Sequence, residues 1–447
     1  MNKHFLSCLS LCLLGFTAQA QWVYRPINSL SPQAAPFFVD AIDATTAWGV
    51  STGANTYVVP QLVRTTNAGQ TWTVSTLPVQ AAVQEDATAL AAFNATTAWV
   101  TTTNVNGIGG RILRTIDGGL NWTTQSNTTV FGSPSSYPDL VRFFSTTEGV
   151  VVGESISGTN SFEAYTTADA GQTWAPVSTM PALLPSENII TGAPAVVGST
   201  VWFLTTGGRV FRSLDKGLTW TVSVIDPNLT DPASIAFRDA QNGLVNVLDD
   251  GGGTNHLLFR TTNGGTTWAQ VIYTGPLHGL GLSTVPGTDQ YVSTGAELGN
   301  GDEGSSFTRD NGQTWVALEN TLSHLGVEFV SPTAGWSGGF QTKPTGIMGG
   351  INRFSGTALA TRTDAALQAS LTVAPNPALN GRFALQAPPQ VGTATVRVLD
   401  VAGRLVQTQP WASATPLALD LSREPAGIYI LEVQAASGTA RQKVVVQ

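Results

Sequence analysis

One eight-residue pattern recurs six times along this 447-residue chain: Ser/Thr, any residue, Asp/Asn, any residue, Gly, any residue, Thr/Asn, Trp. The copies end at Trp72, Trp122, Trp174, Trp220, Trp268 and Trp315, which are 50, 52, 46, 48 and 47 residues apart. A fixed period of that length means a row of similar supersecondary units, each burying its apolar face against the next. In each copy the Asp or Asn (Asn67, Asp117, Asp169, Asp215, Asn263, Asp310) is suited to accept backbone N–H groups two or three residues on. The glycine two positions later (Gly69, Gly119, Gly171, Gly217, Gly265, Gly312) is free to take positive φ. The expected product is a tight hairpin loop that each Trp closes, its ring covering the loop and its indole N–H seeking an acceptor.

Strand-like material surrounds every loop. An apolar residue, five mostly small or polar residues, then an apolar, aromatic or glycine position recur at 42–48, 93–99, 143–149 and 330–336, with a related form at 237–243. These read as an inner strand, a turn and a second strand. A third strand enters the loop (Gln61 to Arg64, Arg111 to Arg114, Arg209 to Arg212, His256 to Arg260) and a fourth follows the Trp. Four antiparallel strands per repeat make a propeller blade. Residues 326–354 supply three strands of a further blade but no loop pattern, while Trp22-Val-Tyr-Arg-Pro-Ile27 resembles a closing Trp and its outgoing strand with nothing before it. The expectation is an all-β, seven-bladed β-propeller over 21–355, closed by the N-terminal strand with Trp22 at the junction, which leaves no open sheet edge.

Residues 1–20 have the charged start, apolar run and Ala18-Gln19-Ala20 ending of a secretory signal peptide, with cleavage expected between Ala20 and Gln21. Both cysteines, Cys8 and Cys12, lie within it, so the exported chain has no disulfides. No later stretch approaches the ~20 apolar residues of a membrane span. Loss of Lys3 takes the net charge from −8 to −9. With no basic stripe to neutralise phosphates, nucleic acid is not an expected partner. A monomer is expected.

Residues 356–370 read as a small-residue, polar linker, and from Leu371 to Gln447 seven short alternating strands suggest a compact β-sandwich. It carries three punctuations: Pro375-Asn376-Pro377, Asp400-Val-Ala-Gly403-Arg404 and Pro425-Ala-Gly427-Ile-Tyr429.

The repeated loops resemble the Asp-box of sialidases and other BNR-repeat proteins. Taken with the strands around them, residues 22–355 are more similar to the photosystem II assembly factor family, which implies a seven-bladed ring that holds a protein partner. The Pro-Asn-Pro, Asp-x-x-Gly-Arg and Pro-Ala-Gly-Ile-Tyr anchors, in that order, resemble the type A C-terminal sorting domain of the type IX secretion system of Bacteroidota. That resemblance implies passage through the secretion machinery to the cell surface or the medium. It makes the chain an exported binding propeller with an unidentified protein or glycan ligand.

The alternative is an Asp-box glycoside hydrolase of sialidase or xyloglucanase type. It needs either three convergent arginines, for which Arg111, Arg142, Arg209, Arg238 and Arg353 are available away from the loops, or a carboxylate pair in a cleft. Asp249, Asp250, Asp302, Glu303, Glu154 and Glu163 are the loop carboxylates available, and they read as solvated. His256, His278 and His324 are far apart in sequence and no cysteine remains, so no zinc pattern exists. No cofactor is expected, although Asp249 to Asn255 and Asn300 to Glu303 offer oxygens to Ca²⁺.

Overall fold

The computed structural model describes residues 21–447 apart from 54–58, 80–83, 105–108, 230–231, 249–253, 345, 357–358, 360–364, 401–404 and 436–437. The chain divides into two compact units, Met1–Leu359 and Ala360–Gln447. The first is built of four-stranded antiparallel sheets in which sequence neighbours pair. In the first sheet these strands are Ala34–Ala41, Ala47–Gly53, Gln61–Thr65 and Thr73–Thr76. Five more sheets follow in the same order, with inner strands Glu85–Ala92, Pro138–Phe143, Ala195–Val197, Pro232–Phe237 and Gly281–Thr284. The remaining sheet of this unit takes three strands from Ser323–Ser331, Ala334–Lys343 and Gly346–Phe354, and its fourth is Trp22–Pro26.

Trp22–Pro26 runs antiparallel to Gly346–Phe354, with Trp22 opposite Phe354 and Val23 opposite Arg353. Thr73 faces Arg64 and Thr221 faces Arg212 in the same way, so Trp22 sits in the register that Trp72 and Trp220 hold in their sheets. Pro26, lacking an N–H, is tolerated because this strand has no further neighbour.

Apolar clusters lie between consecutive sheets. Val50, Leu62 and Val100 join the first two, and Trp22, Val292, Phe307 and Phe354 join the sixth and seventh. Ile27, Ala47, Val63, Trp336 and Ile351 join the seventh to the first. Four second-strand tryptophans, Trp48, Trp99, Trp202 and Trp336, are fully buried. The Trp48 indole N–H donates to Asn94 O in the next sheet (3.0 Å), and Trp336 donates to Asp43 O across the seam (3.0 Å). Replacing such a ring by Ala costs about 3–5 kcal/mol.

In four of the sheets the turn after the inner strand closes from Ile42 N–H to Thr46 O, Phe93 to Thr97, Phe144 to Glu148 and Arg238 to Asn242. Phe144 and Arg238 are therefore the equivalents of Ile42. The frames read from the sequence at 143–149 and 237–243 start one residue early, because a bulky Phe ends each of those inner strands.

The second unit is a two-sheet sandwich. Thr372–Ala374, Arg382–Gln386 and Leu417–Asp420 face Leu405–Ala412, Thr393–Leu399, Gly427–Ala435 and Gly438–Val446. Phe383, Leu385 and Leu419 pack against Val396, Leu431 and Val444 between them. The last six residues of the expected linker are a helix, Ala365–Ser370, whose Leu367 enters this core. Leu367 and Leu371 supply the burial that the polar composition of the stretch hides.

Candidate binding site

The first strands of the sheets of the larger unit line a cavity of ≈ 580 Å³. Bulges at Phe37, Thr88, Asp139 and Ala233 bend four of these strands near their starts. Phe37, Leu90, Ile190, Ile235, Leu282 and Leu325 give the cavity apolar walls, and its charged groups are Asp40, Arg142 and Glu328.

Those three occupy one equivalent position, the residue that pairs with the second-strand Trp or its substitute. Asp40 faces Trp48, Ala91 faces Trp99, Arg142 faces Val150, Ala195 faces Trp202, Ala236 faces Leu244, Ser283 faces Val292 and Glu328 faces Trp336. Where this residue has an acceptor, it takes the N–H of the following position in the next sheet. Ser283 Oγ accepts from Phe329 (3.2 Å), Glu328 Oε2 from Ala41 (2.7 Å) and Asp40 Oδ2 from Ala92 (2.8 Å). Asp40 and Glu328 also hydrogen-bond to each other, and Arg142 reaches across the small Ala91 to Asp40 (3.3 Å). Burial first, and then the Asp40 charge, push the Glu328 carboxyl up to about 8. Burial also raises Asp40, against the pull of Arg142. The pair thus carries a proton at neutral pH. Two carboxyls in direct hydrogen bond cannot flank a glycosidic bond, which needs them roughly 5–9.5 Å apart.

The other arginines do not join Arg142. Arg111 pairs with Glu85 (2.6 Å) and Arg209 with Glu187, each acid lying just before or within the start of its sheet. Arg238 donates to Asn311 Oδ1 (2.6 Å), and Arg353 lies over the Trp336 ring (5.7 Å). No arginine triad forms among these five.

The loop carboxylates are more engaged than their sequence context suggests. Asp302 is buried between two imidazoles, 3.2 Å from His256 Nε2 and 3.1 Å from His278 Nδ1, and it accepts the Gly279 N–H at 2.9 Å. Burial works against ionisation there, but the hydrogen bonds from His256, His278 and Gly279 hold Asp302 down at about 2. The Asp302 oxygens are therefore committed to these donors. Glu163 accepts from Ser136 and Tyr165. The Asp249 to Asn255 stretch falls largely outside the described residues, as do residues 1–20 with the cleavage position Ala20. Gln21 is described, and its carbonyl accepts the Ser355 N–H (2.9 Å).

The six repeated loops share one hydrogen-bond scheme. The leading Ser or Thr hydroxyl accepts the glycine N–H, as at Ser213 to Gly217 (2.8 Å). The Asp or Asn side chain accepts an N–H four residues on, from Thr71, Asn121, Thr173, Thr219, Thr267 and Thr314. The expected three-residue reach is also present at Asp117 and Asn263, which accept from Leu120 and Thr266 (both 3.1 Å); two consecutive residues with positive φ, such as Lys216 and Gly217 (62° and 91°), widen the loop so that the bond four residues on forms in all six. Trp122, Trp220 and Trp315 donate their indole N–H to the loop glycine's own carbonyl, and Trp268 donates to Ser223 Oγ. The buried indole nitrogens of Trp72 and Trp174 have no acceptor. These loops sit beside the inner-strand turns, as the bond from Ala170 N–H to Thr147 O shows, and not on the cavity wall.

In the sandwich, Asn376 grips the final strand, donating to Lys443 O (2.7 Å) and accepting from Val445 (3.0 Å). The Tyr429 hydroxyl donates to Pro425 O (2.8 Å), so Pro375 to Pro377 and Pro425 to Tyr429 are structural clasps. Gly427 opens the strand that holds Tyr429. Asp400 ends the preceding run, while Gly403 and Arg404 lie outside the described residues. Residues 372–447 match the family model of the secretion system C-terminal sorting domain. The sorting domain directs the chain to the type IX secretion machinery, and so to the cell surface or beyond it.

The larger unit is similar in fold to solved propellers. YCF48 bound to D1 peptide is 17% identical, covering 76% of this chain and 98% of that one at a TM-score of 0.52. YCF48 from Cyanidioschyzon merolae is 17% identical, covering 75% and 99%, also at 0.52. The GH74 xyloglucanase from Xanthomonas campestris is 12% identical, covering 94% and 87%, at 0.36. No curated protein matches the chain. Among the described residues, no helix is long and apolar enough to cross a membrane, and no cluster of three or more His, Asp or Glu side chains is arranged around a metal position.

Proposed function

We propose that the larger unit is a seven-bladed ring, closed by Trp22–Pro26 as the outer strand of its last blade, that binds a polypeptide segment in its axial cavity outside the cell. The cavity carries this reading: its ≈ 580 Å³ falls within the range of sites that enclose a ligand, and its walls are mainly apolar. Its acids and Arg142 are spent on one another and on neighbouring backbone, so they supply orientation and not chemistry. The fold likeness to a propeller solved with a peptide bound adds support. The closure reading is supported by the pairing of Trp22 with Phe354 and by the apolar cluster across the seam. The sorting domain supplies delivery, and the propeller supplies recognition.

A peptide array made from the producing cell's surface proteins, probed with the purified propeller, identifies the ligand. Ala233, half-exposed on the cavity wall, is the residue for blocking it. Ala233→Trp should abolish capture on the array and leave the melting temperature within a few degrees of wild type. Undiminished binding by that variant would place recognition elsewhere.

A further inference from the structure

Asp139 and Glu154 form a second acidic pair, at the opposite end of the strands from the repeated loops and unconnected to Asp40 and Glu328. Asp139 is the bulge residue between Pro138 and Leu140 and is 2% exposed. Pro138 pairs with Gly153 and the Glu154 N–H donates to Tyr137 O (2.8 Å), so the two acids are diagonal neighbours across adjacent strands. One extended segment ties down the outer oxygen of each. Ile189 N–H donates to Glu154 Oε1 (2.8 Å), and Thr191 Oγ1 lies 3.5 Å from Asp139 Oδ1. The remaining oxygens, Asp139 Oδ2 and Glu154 Oε2, are both sealed from solvent and both without a hydrogen-bond partner. Among the described residues no basic side chain pairs with either carboxyl, and Arg209, which serves the neighbouring Glu187, is committed there. Unpaired buried carboxylate oxygens are costly, so such groups either take up a proton, the direction in which burial pushes both Asp139 and Glu154, or face a counter-charge.

We propose that Asp139 and Glu154 bind a calcium ion, with the Thr191 hydroxyl and nearby carbonyls or water completing its shell. The donors are all oxygen, which selects a hard cation. Two carboxylates balance a divalent charge, and the irregular geometry of a bulge suits Ca²⁺ better than Mg²⁺, which demands near-octahedral order. A site with only two carboxylates belongs to the weak class found in extracellular modules, with Kd about 10⁻⁴–10⁻³ M, appropriate for an exported protein. Ile190 and Thr191 line the axial cavity, so a bound ion would fix that stretch of its wall.

The test uses the exported chain, Gln21 to Gln447. Millimolar CaCl₂ should raise its melting temperature where NaCl of equal ionic strength does not. Tb³⁺ luminescence, sensitised through Tyr137 and the tryptophans, should appear on binding and be quenched by Ca²⁺. The near-isosteric variants Asp139→Asn and Glu154→Gln should each weaken Ca²⁺ by about tenfold or more. Two outcomes overturn the proposal: no calcium-dependent shift or terbium signal in the wild type up to about 20 mM, well above that affinity class, or unchanged Ca²⁺ affinity in Asp139→Asn. If the acids only hold protons, Asp139→Asn will melt higher than wild type and Ca²⁺ will do nothing, which also overturns it.

Discussion

At the residue scale the repeated loop divides its work unevenly. Asp215 accepts from the exposed Thr219 backbone and hydroxyl, while the fully buried Ser213 hydroxyl accepts the buried Gly217 N–H. When Asp215 is replaced by Ala, water can serve the exposed donor, and the loss should be about 1 kcal/mol. Ser213→Ala leaves a buried N–H without an acceptor and should cost about 1–3 kcal/mol. Urea unfolding of the two variants should rank Ser213→Ala as the more damaging. The reverse order would mean that the Asp of the loop also governs its stability. Neither change should alter ligand capture except through folding, since neither side chain touches the cavity.

At the scale of elements, the seam between the last sheet and the first reuses the joints found elsewhere. Trp336 donates across it as Trp48 does between the first two sheets, and Glu328 accepts the Ala41 N–H as Asp40 accepts that of Ala92. Removing Gln21 to Ile27 should therefore expose the edge of Gly346–Phe354, unpack Trp22 from Phe329 and Phe354, and cost several kcal/mol. The readout is a lower melting temperature with aggregation. An intact, monomeric truncation would refute the closed ring.

The seam also sets a pH dependence. The Glu328 carboxyl is raised from its ordinary value to about 8, so folding takes up a proton there. Its contribution is complete below the ordinary carboxylate range and is lost as pH rises through about 8. The melting temperature of the wild type should fall between about pH 5 and pH 9. Glu328→Gln, which keeps an acceptor for Ala41 and a donor for Asp40, should flatten that slope. An equal slope in both proteins would show that the pair does not titrate in this range.

For the whole molecule, the larger unit and the sorting domain are separate units with separate cores. Deleting residues 360–447 should leave the larger unit folded, with its melting temperature nearly unchanged, and should strand it in the periplasm. The cut belongs before Ala365–Ser370, because Leu367 of that helix is part of the sorting domain's core. Surface delivery of the truncated chain would remove the basis for assigning export to this domain.

The six loops, the four-stranded antiparallel sheets and the sorting domain were legible in the sequence. Each is a local pattern that repeats or ends in a distinctive turn, and local physics is enough to specify it. The axial charges were not legible. Asp40, Arg142 and Glu328 lie in one column of the repeat, two residues before the turn, but in the other four repeats that column holds Ala or Ser, and its meaning appears only when sheets far apart in sequence become neighbours. Asp302 with its two histidines, and Asp139 with Glu154, escaped for the same reason. A carboxylate's role is set by what surrounds it after burial, and residues separated by tens or hundreds of positions supply those surroundings. The sequence by itself determined the blade, because strands, turns and the closing Trp depend on near neighbours. Only the tertiary structure decided the cavity, its shared proton and its buried acids, because desolvation and charge coupling exist only once the sheets are packed.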